Sequence, residues 1–255
     1  MKSDTQKLAV LLAAAAFLGI VSCKKDPVQS SLKTIYGAVT PLTGGTVRSF
    51  VVLDGSGNPT TVGIKFSASV LTTLPIDSTM AWMYPISLPA SVTVPGFDHM
   101  EADWNPAGHP PKAIYGFPHF DFHFYKVTTA QQAGVVPGPD TVSVLKKYVP
   151  QDYVSGVIAI PDMGVHWSDS LAAEFHGHHF TDTFVYGFYH GQMTFLEPMI
   201  TSAFLLSKSD MKATIKQPVA FRQSGYYPTV SHVSFDADSN LYTVALEGLR
   251  MVAAN

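Results

Sequence analysis

The stretch His119–Tyr125, HFDFHFY, alternates polar and aromatic residues without a break. His119, Asp121, His123 and Tyr125 fall on one parity, and Phe120, Phe122 and Phe124 on the other. Successive side chains of a strand point to opposite faces, so this period of two predicts a β-strand. Three adjacent phenylalanines require a core to pack against. The opposite face, of imidazole, carboxylate and phenol, suits either a buried polar network or a site.

The surrounding text is also β-like. Of the 255 residues, 46% are apolar and 14% charged, with 19 Gly and 18 Pro scattered throughout; such a chain favours short strands and turns over long helices. Strands are expected at Lys33–Val39, Thr46–Leu53, Thr60–Phe66, Ser67–Leu74, Ile86–Val94 and Val154–Ile160. Hairpins are expected across Asp54–Pro59, across His190-Gly191 and across Asp236–Asn240. Met80–Pro85 reads as buried and Phe97–Pro111 as turn-rich. Short helices are expected near Thr128–Gly134, Ser168–Phe175 and Ile200–Ser207, and a helical turn in Thr141–Tyr148 before Pro150. Residues 33–255 hold no repeat and no internal linker. The expected fold is mainly β: one antiparallel β-sandwich or jelly-roll-like barrel with a few short helices. A net charge of −3, with no basic block after the N-terminus, gives no support to a nucleic-acid partner.

The N-terminus has its own logic. Lys2 and Lys7 precede the apolar run Leu8–Val21, which ends in Ile20-Val21-Ser22-Cys23. A basic start, a short apolar run and a small residue before the cut describe a secretory signal. The run falls short of the roughly 20 residues a membrane-spanning helix needs. Its end resembles the lipobox of bacterial lipoproteins. That resemblance implies a signal peptide over 1–22, cleavage before Cys23, and acylation (palmitate among the chains) that anchors the protein to the lipid bilayer. Residues 23–32 then form a tether, and Lys24-Lys25 after the lipid is compatible with the outer membrane of the cell envelope. Cys23 is the only cysteine, so the mature domain has neither disulfides nor a thiolate metal site.

Among groups that carry chemistry, imidazole and carboxylate together suit zinc, iron or manganese. On a strand, i and i+2 lie about 6.7 Å apart on one face. His119/Asp121 or Asp121/His123 can therefore share an ion. His119 and His123, about 13 Å apart on an ideal strand, can share one only if the strand bends. His166 lies in Met163-Gly164-Val165-His166-Trp167, and Glu197 is an acid inside the apolar run Phe195–Met199. A buried carboxylate is costly unless paired or bound to a cation. The expected ligand set is thus His119, Asp121, His123, His166 and Glu197, with His109 and Tyr125 as supporting groups. If the ion keeps an open position, it activates water for hydrolysis or hydration. The alternative is a non-enzymatic module in which the same residues form a buried hydrogen-bonded network. Glu174, His176, His178 and His179, with His190, read as an exposed loop cluster; His99 and His232 read as structural. The chain has no Gly-x-Ser-x-Gly, phosphate loop or dinucleotide fingerprint.

Four blocks carry a further resemblance: Asp103–Pro111, Pro118–Tyr125, Met163–Trp167 and Phe195–Thr201. Together they resemble the signatures of a family of secreted bacterial proteins, many of them lipoproteins, catalogued as a domain of unknown function. The resemblance implies a β-rich domain able to form a homo-oligomer, and implies no activity.

Overall fold

The computed structural model describes residues 31–76 and 80–255. The expected signal peptide, Cys23 and the tether as far as Ser30 lie outside the described residues. Two seven-stranded antiparallel sheets dominate. Sheet one contains β1 (Lys33–Tyr36), β2 (Thr40–Leu42), β3 (Gly45–Leu53), β4 (Pro59–Ser67), β14 (Met211–Thr214), β16 (Val230–Asp236) and β17 (Leu241–Glu247). Its order is β1-β3-β4-β17-β16-β14, with β2 beside β3. Sheet two contains β5 (Trp82–Ser87), β6 (His99–Asn105), β7 (His119–Tyr125), β9 (Tyr153–Ser155), β11 (Val165–Asp169), β12 (Asp182–Tyr189) and β13 (Gln192–Thr201). Its order is β5-β6-β7-β13-β12-β11-β9. Two small pairings, β8 (Gly138–Pro139) with β10 (Ile158–Ala159) and β15 (Gly225–Tyr227) with β18 (Arg250–Val252), lie outside the large sheets.

The sheets face each other across one apolar core, and neither closes into a barrel. Sheet one contributes Val51, Val62, Ile64, Phe66, Tyr242, Val244 and Leu246. Sheet two contributes Met100, Ala102, Trp104, Phe120, Phe122, Phe124, Leu196 and Ile200. The Phe66 ring lies 6.0 Å from both Phe120 and Phe122 and 5.2 Å from Tyr242. The aromatic parity of β7 is thus the inward face, as its alternation requires. All three expected hairpins form. The first turns on Asp54, whose Oδ1 accepts from the amides of Ser56 and Asn58.

Several local expectations are corrected. Ser67–Leu74 is not a strand: β4 stops at Ser67 and Val70–Thr73 forms a helical turn, α1. Ile86–Val94 is strand only to Ser87, and Met80–Pro85 is not buried but leads into the half-exposed edge strand β5, with Met80 57% exposed. Ser168–Phe175 is not an α-helix: Ser168 and Asp169 end β11, and Ala173–His176 is a 3₁₀ turn. The helical turn expected in Thr141–Tyr148 forms, as 3₁₀, at Lys146–Tyr148. Within Thr128–Gly134 a short helix does form, α3 (Thr129–Gln132), with a reciprocal capping box between Thr128 and Gln131. The largest correction is Phe97–Pro111. It contains β6, an internal strand of sheet two, paired residue for residue with β7 from Met100↔Phe124 to Asn105↔His119. Its sequence carries the same signal as β7: His99, Glu101, Asp103 and Asn105 on one parity, Met100, Ala102 and Trp104 on the other. Flanking turn residues masked it.

The outer face of sheet two sets up the site. Loops bury it beneath a second apolar layer of Tyr115, Tyr125, Val127, Phe180, Val185, Phe195 and Met199. Sheet two is therefore covered on both sides, and its polar parity has almost no water to turn to.

Candidate metal centre

The pairing registers arrange the polar parity into rows. Asn105, His119 and Thr201 share one row; Asp103, Asp121, Met199 and Thr183 share the next. Glu101, His123, Glu197, Val185 and Ser168 follow in the third. Tyr125, Phe195, Gly187 and His166 make the fourth. Two local features shape this lattice. Proline has no N–H to donate, and the β13–β7 register skips Glu197 and Pro198. Gly187 faces the Phe195 ring so closely that a Cβ there would meet it at 2.2 Å. Only glycine lets this ring pack against both His123 and His166, at 4.7 Å and 5.0 Å between centroids.

The candidate residues gather into two triads, each of two histidines and one carboxylate. In His109, His119 and Asp121, one donor atom per residue lies within 4.8 Å of the others; the same holds for His123, His166 and Glu197. β7 pairs with β6 without a register shift, so His119 and His123 stay apart and serve different triads. The expected single five-residue set is divided, and His109, expected as a support, stands with the donors. Tyr125 does not reach either triad's donors by hydrogen bond. Its hydroxyl donates to the carbonyl of Asp162 at 3.2 Å, and its ring stacks on His99 at 4.6 Å and on His123 at 5.6 Å, so it supports one triad by packing.

In both triads the imidazoles turn Nε2 toward the carboxylate. His119 and His109 approach Asp121 at 3.0 Å and 3.3 Å, while His123 and His166 approach Glu197 at 3.6 Å and 3.7 Å. None of these approaches has hydrogen-bond alignment. Among the described residues, His119 Nε2, Asp121 Oδ1, His123 Nε2 and both Glu197 oxygens are enclosed without a hydrogen-bond partner. Each such buried polar atom costs about 1–3 kcal/mol, and more where charged. No Lys or Arg lies within 4.0 Å of Asp103, Asp121 or Glu197 among the described residues. Compensation must come from protons on the imidazoles or from a cation between the donors.

The electrostatics of the metal-free protein show that tension. Burial pushes the Glu197 carboxyl up to about 8, against the pull of His123. Burial opposes charge on His123, but Glu197 and Asp103 prevail and raise it to about 10. His109 is opposed likewise by burial, and Asp121 lifts it to about 9. Burial and then repulsion from His123 lower His166 to about 3, so it is a neutral donor. Burial also raises Asp103. Despite its burial, Asp121 is held well below the usual carboxylate range by His109 and His119.

Two polar groups of β6 stand beside the triads. Asp103 Oδ2 lies 3.1 Å from His123 Nδ1, again without hydrogen-bond alignment, in the place from which a carboxylate orients a metal-binding imidazole. Asn105 Nδ2 donates to Asp121 Oδ2 at 2.8 Å. Asp103 and Asn105 went unrecognised as functional because β6 went unrecognised as a strand. Glu174, expected in an exposed loop, is buried and accepts from the Tyr115 hydroxyl at 3.4 Å; His176, His178 and His179 are exposed as expected. His99 sits in a polar chain through Gln132 to Glu101, and His232 pairs with Glu247 on sheet one.

No protein-family model matches the chain, and no curated protein and no solved structure is similar to it.

Proposed function

We propose that this β-sandwich is a divalent-metal protein of the bacterial cell envelope, anchored through acylated Cys23, whose ion is held by His123, His166 and Glu197. The observation that carries the metal reading is Glu197, fully buried, with both oxygens unpartnered and an imidazole Nε2 beside each. A zinc, iron or manganese ion among these atoms satisfies all of them at once. Two imidazoles and one carboxylate leave a coordination position for water, the arrangement that serves metal-assisted hydrolysis or hydration. His166, with a 27% exposed side chain, gives this triad its contact with solvent. The placement of the four sequence blocks supports the same reading. The blocks supply Asn105 and His109, then His119, Asp121 and His123, then His166, then Glu197; all but His109, which the β6–β7 loop brings to Asp121, lie on one sheet face.

The second reading is a proton-compensated polar network without an ion. It is favoured by the raised position of His123, which lets an imidazolium balance Glu197. Metal-free protein incubated separately with zinc, iron or manganese and then desalted separates the two by elemental analysis. Stoichiometric retention, lost in part by His123→Ala and Glu197→Gln, supports the ion. No retention by the wild-type protein at neutral pH sinks it in favour of the network.

A further inference from the structure

We propose that the chain holds a second divalent ion, between His109, His119 and Asp121, and that this ion clamps the β6–β7 loop onto the sheet. This rests on the metal reading of the His123 triad but concerns other atoms.

The tautomers carry the case. His119 Nδ1 lies 2.7 Å from the carbonyl oxygen of Phe117, and His109 Nδ1 lies 2.8 Å from that of Pro110. A carbonyl oxygen only accepts, so each Nδ1 carries the hydrogen, and in the neutral ring Nε2 keeps the lone pair. Both Nε2 atoms then lie beside the Asp121 carboxylate, at 3.0 Å and 3.3 Å. Such electron-rich atoms repel unless something positive lies between them. A proton on Nε2 is the other positive charge available, but neither approach has N–H···O alignment, and His119 Nε2 and Asp121 Oδ1 are both enclosed and unpartnered. Donors bound to one ion at roughly 2.0–2.2 Å stand about 3 Å apart, side by side rather than head-on. Asn105 donates at 2.8 Å to Asp121 Oδ2, the oxygen that His109 approaches, and so fixes the carboxylate; the backbone carbonyls hold both rings. The set is built for a small cation and not merely crowded.

The clamp follows from where the donors lie in the chain. His109 belongs to the loop between β6 and β7; His119 and Asp121 belong to β7 itself. The loop is internally braced: His109 N–H donates to the Tyr115 carbonyl at 3.1 Å, and Lys112 Nζ donates to the carbonyls of Ala107 and Gly108. Gly108, at φ +63°, passes so near the Tyr115 carbonyl that any Cβ would overlap it. The loop therefore moves as a unit, and His109 is its contact with Asp121. Tyr115, carried by α2 (Lys112–Tyr115) of the same loop, packs at 5.1 Å on Phe180 in the layer covering sheet two. An ion that fixes His109 thereby fixes part of the cover over both triads.

The test counts ions and reads the loop separately. Metal-free full chain is reloaded with zinc, iron or manganese, desalted and analysed for metal; amide hydrogen exchange follows residues 106–117. Two ions per chain are expected for the wild type. Asp121→Asn should keep one ion and exchange faster over 106–117. Glu197→Gln should keep one ion with that segment unchanged. His109→Ala, which removes a half-exposed ring and leaves the buried face intact, guards against misfolding of the Asp121 variant and should also keep one. One ion in the wild type, kept by Asp121→Asn and lost by Glu197→Gln, overturns the second site while the His123 centre stands. One ion showing the opposite pattern overturns the His123 reading alone, and none overturns both. Loss of an ion from Asp121→Asn and His109→Ala without faster loop exchange overturns the clamp.

Discussion

The two triads use the same donor set and are assembled in opposite ways. His109, His119 and Asp121 come from one short stretch, so a single loop and the strand after it deliver all three. His123, His166 and Glu197 come from β7, β11 and β13, and only the sheet brings them together. The local triad is tight, with imidazole–carboxylate distances of 3.0 Å and 3.3 Å and backbone carbonyls orienting both rings. The assembled triad is looser, at 3.6 Å and 3.7 Å, and its carboxylate has no orienting hydrogen bond. A loop can adjust to its ion, whereas strands locked in a ladder fix their donors at the spacing the sheet dictates. The local triad therefore suits a structural clamp, and the assembled one a centre with room for a further ligand.

The harshest way to break this contrast is to disturb the strand both triads share. Phe122→Ala removes a 1% exposed ring from the inward face of β7. Its expected cost is about 3–5 kcal/mol in denaturant unfolding. Metal retention at both triads should weaken together; loss at only one would show that β7 is not their common support. A finer cut separates them. Asp103→Asn disturbs only the group beside His123, and Asn105→Ala only the group holding Asp121. Each should weaken its own ion by about 10–100-fold and leave the other unchanged, as read by competition with a chelator. Equal weakening of both ions by either variant would mean one coupled centre rather than two.

A third contrast is in pH. In the unfolded chain glutamate and histidine lose their protons near 4.5 and 6.5, whereas in the metal-free fold Glu197 keeps its proton to about 8, His109 to about 9 and His123 to about 10. Between pH 6.5 and 9 the fold thus binds more protons than the unfolded chain, and linkage makes stability fall as pH rises. His166, held down to about 3, opposes this only below pH 6.5, where the unfolded chain gains a proton the fold lacks. Thermal melts of metal-free protein should fall progressively between pH 6.5 and 9. Saturating zinc, which replaces those protons, should flatten the dependence. A slope unchanged by zinc would favour the proton-compensated network.

Much of this was legible in the residues. The alternation in His119–Tyr125 gave strand, inward face and polar face, and the turn residues around Asp54, His190 and Asp236 gave the hairpins. Glu197 stood out because an acid in an apolar run needs a partner. β6 was hidden because its alternation runs between turn-forming neighbours, and Asp103 and Asn105 were lost with it. Ser67–Leu74 misled because an apolar run that short fits a strand or a helical turn equally well.

What the sequence determined alone was local: period, parity, and the chemical type of each donor. These follow from covalent spacing along one strand, and they already implied that His119 and His123 cannot share an ion on a straight strand. Only the tertiary structure decided which donors meet. The register of β7 against β6 and β13 set the rows, the β6–β7 loop returned His109 to Asp121, and β11 brought His166 to Glu197. Contacts between strands depend on sheet order and register, which arise from packing the whole core and which no single stretch of residues contains.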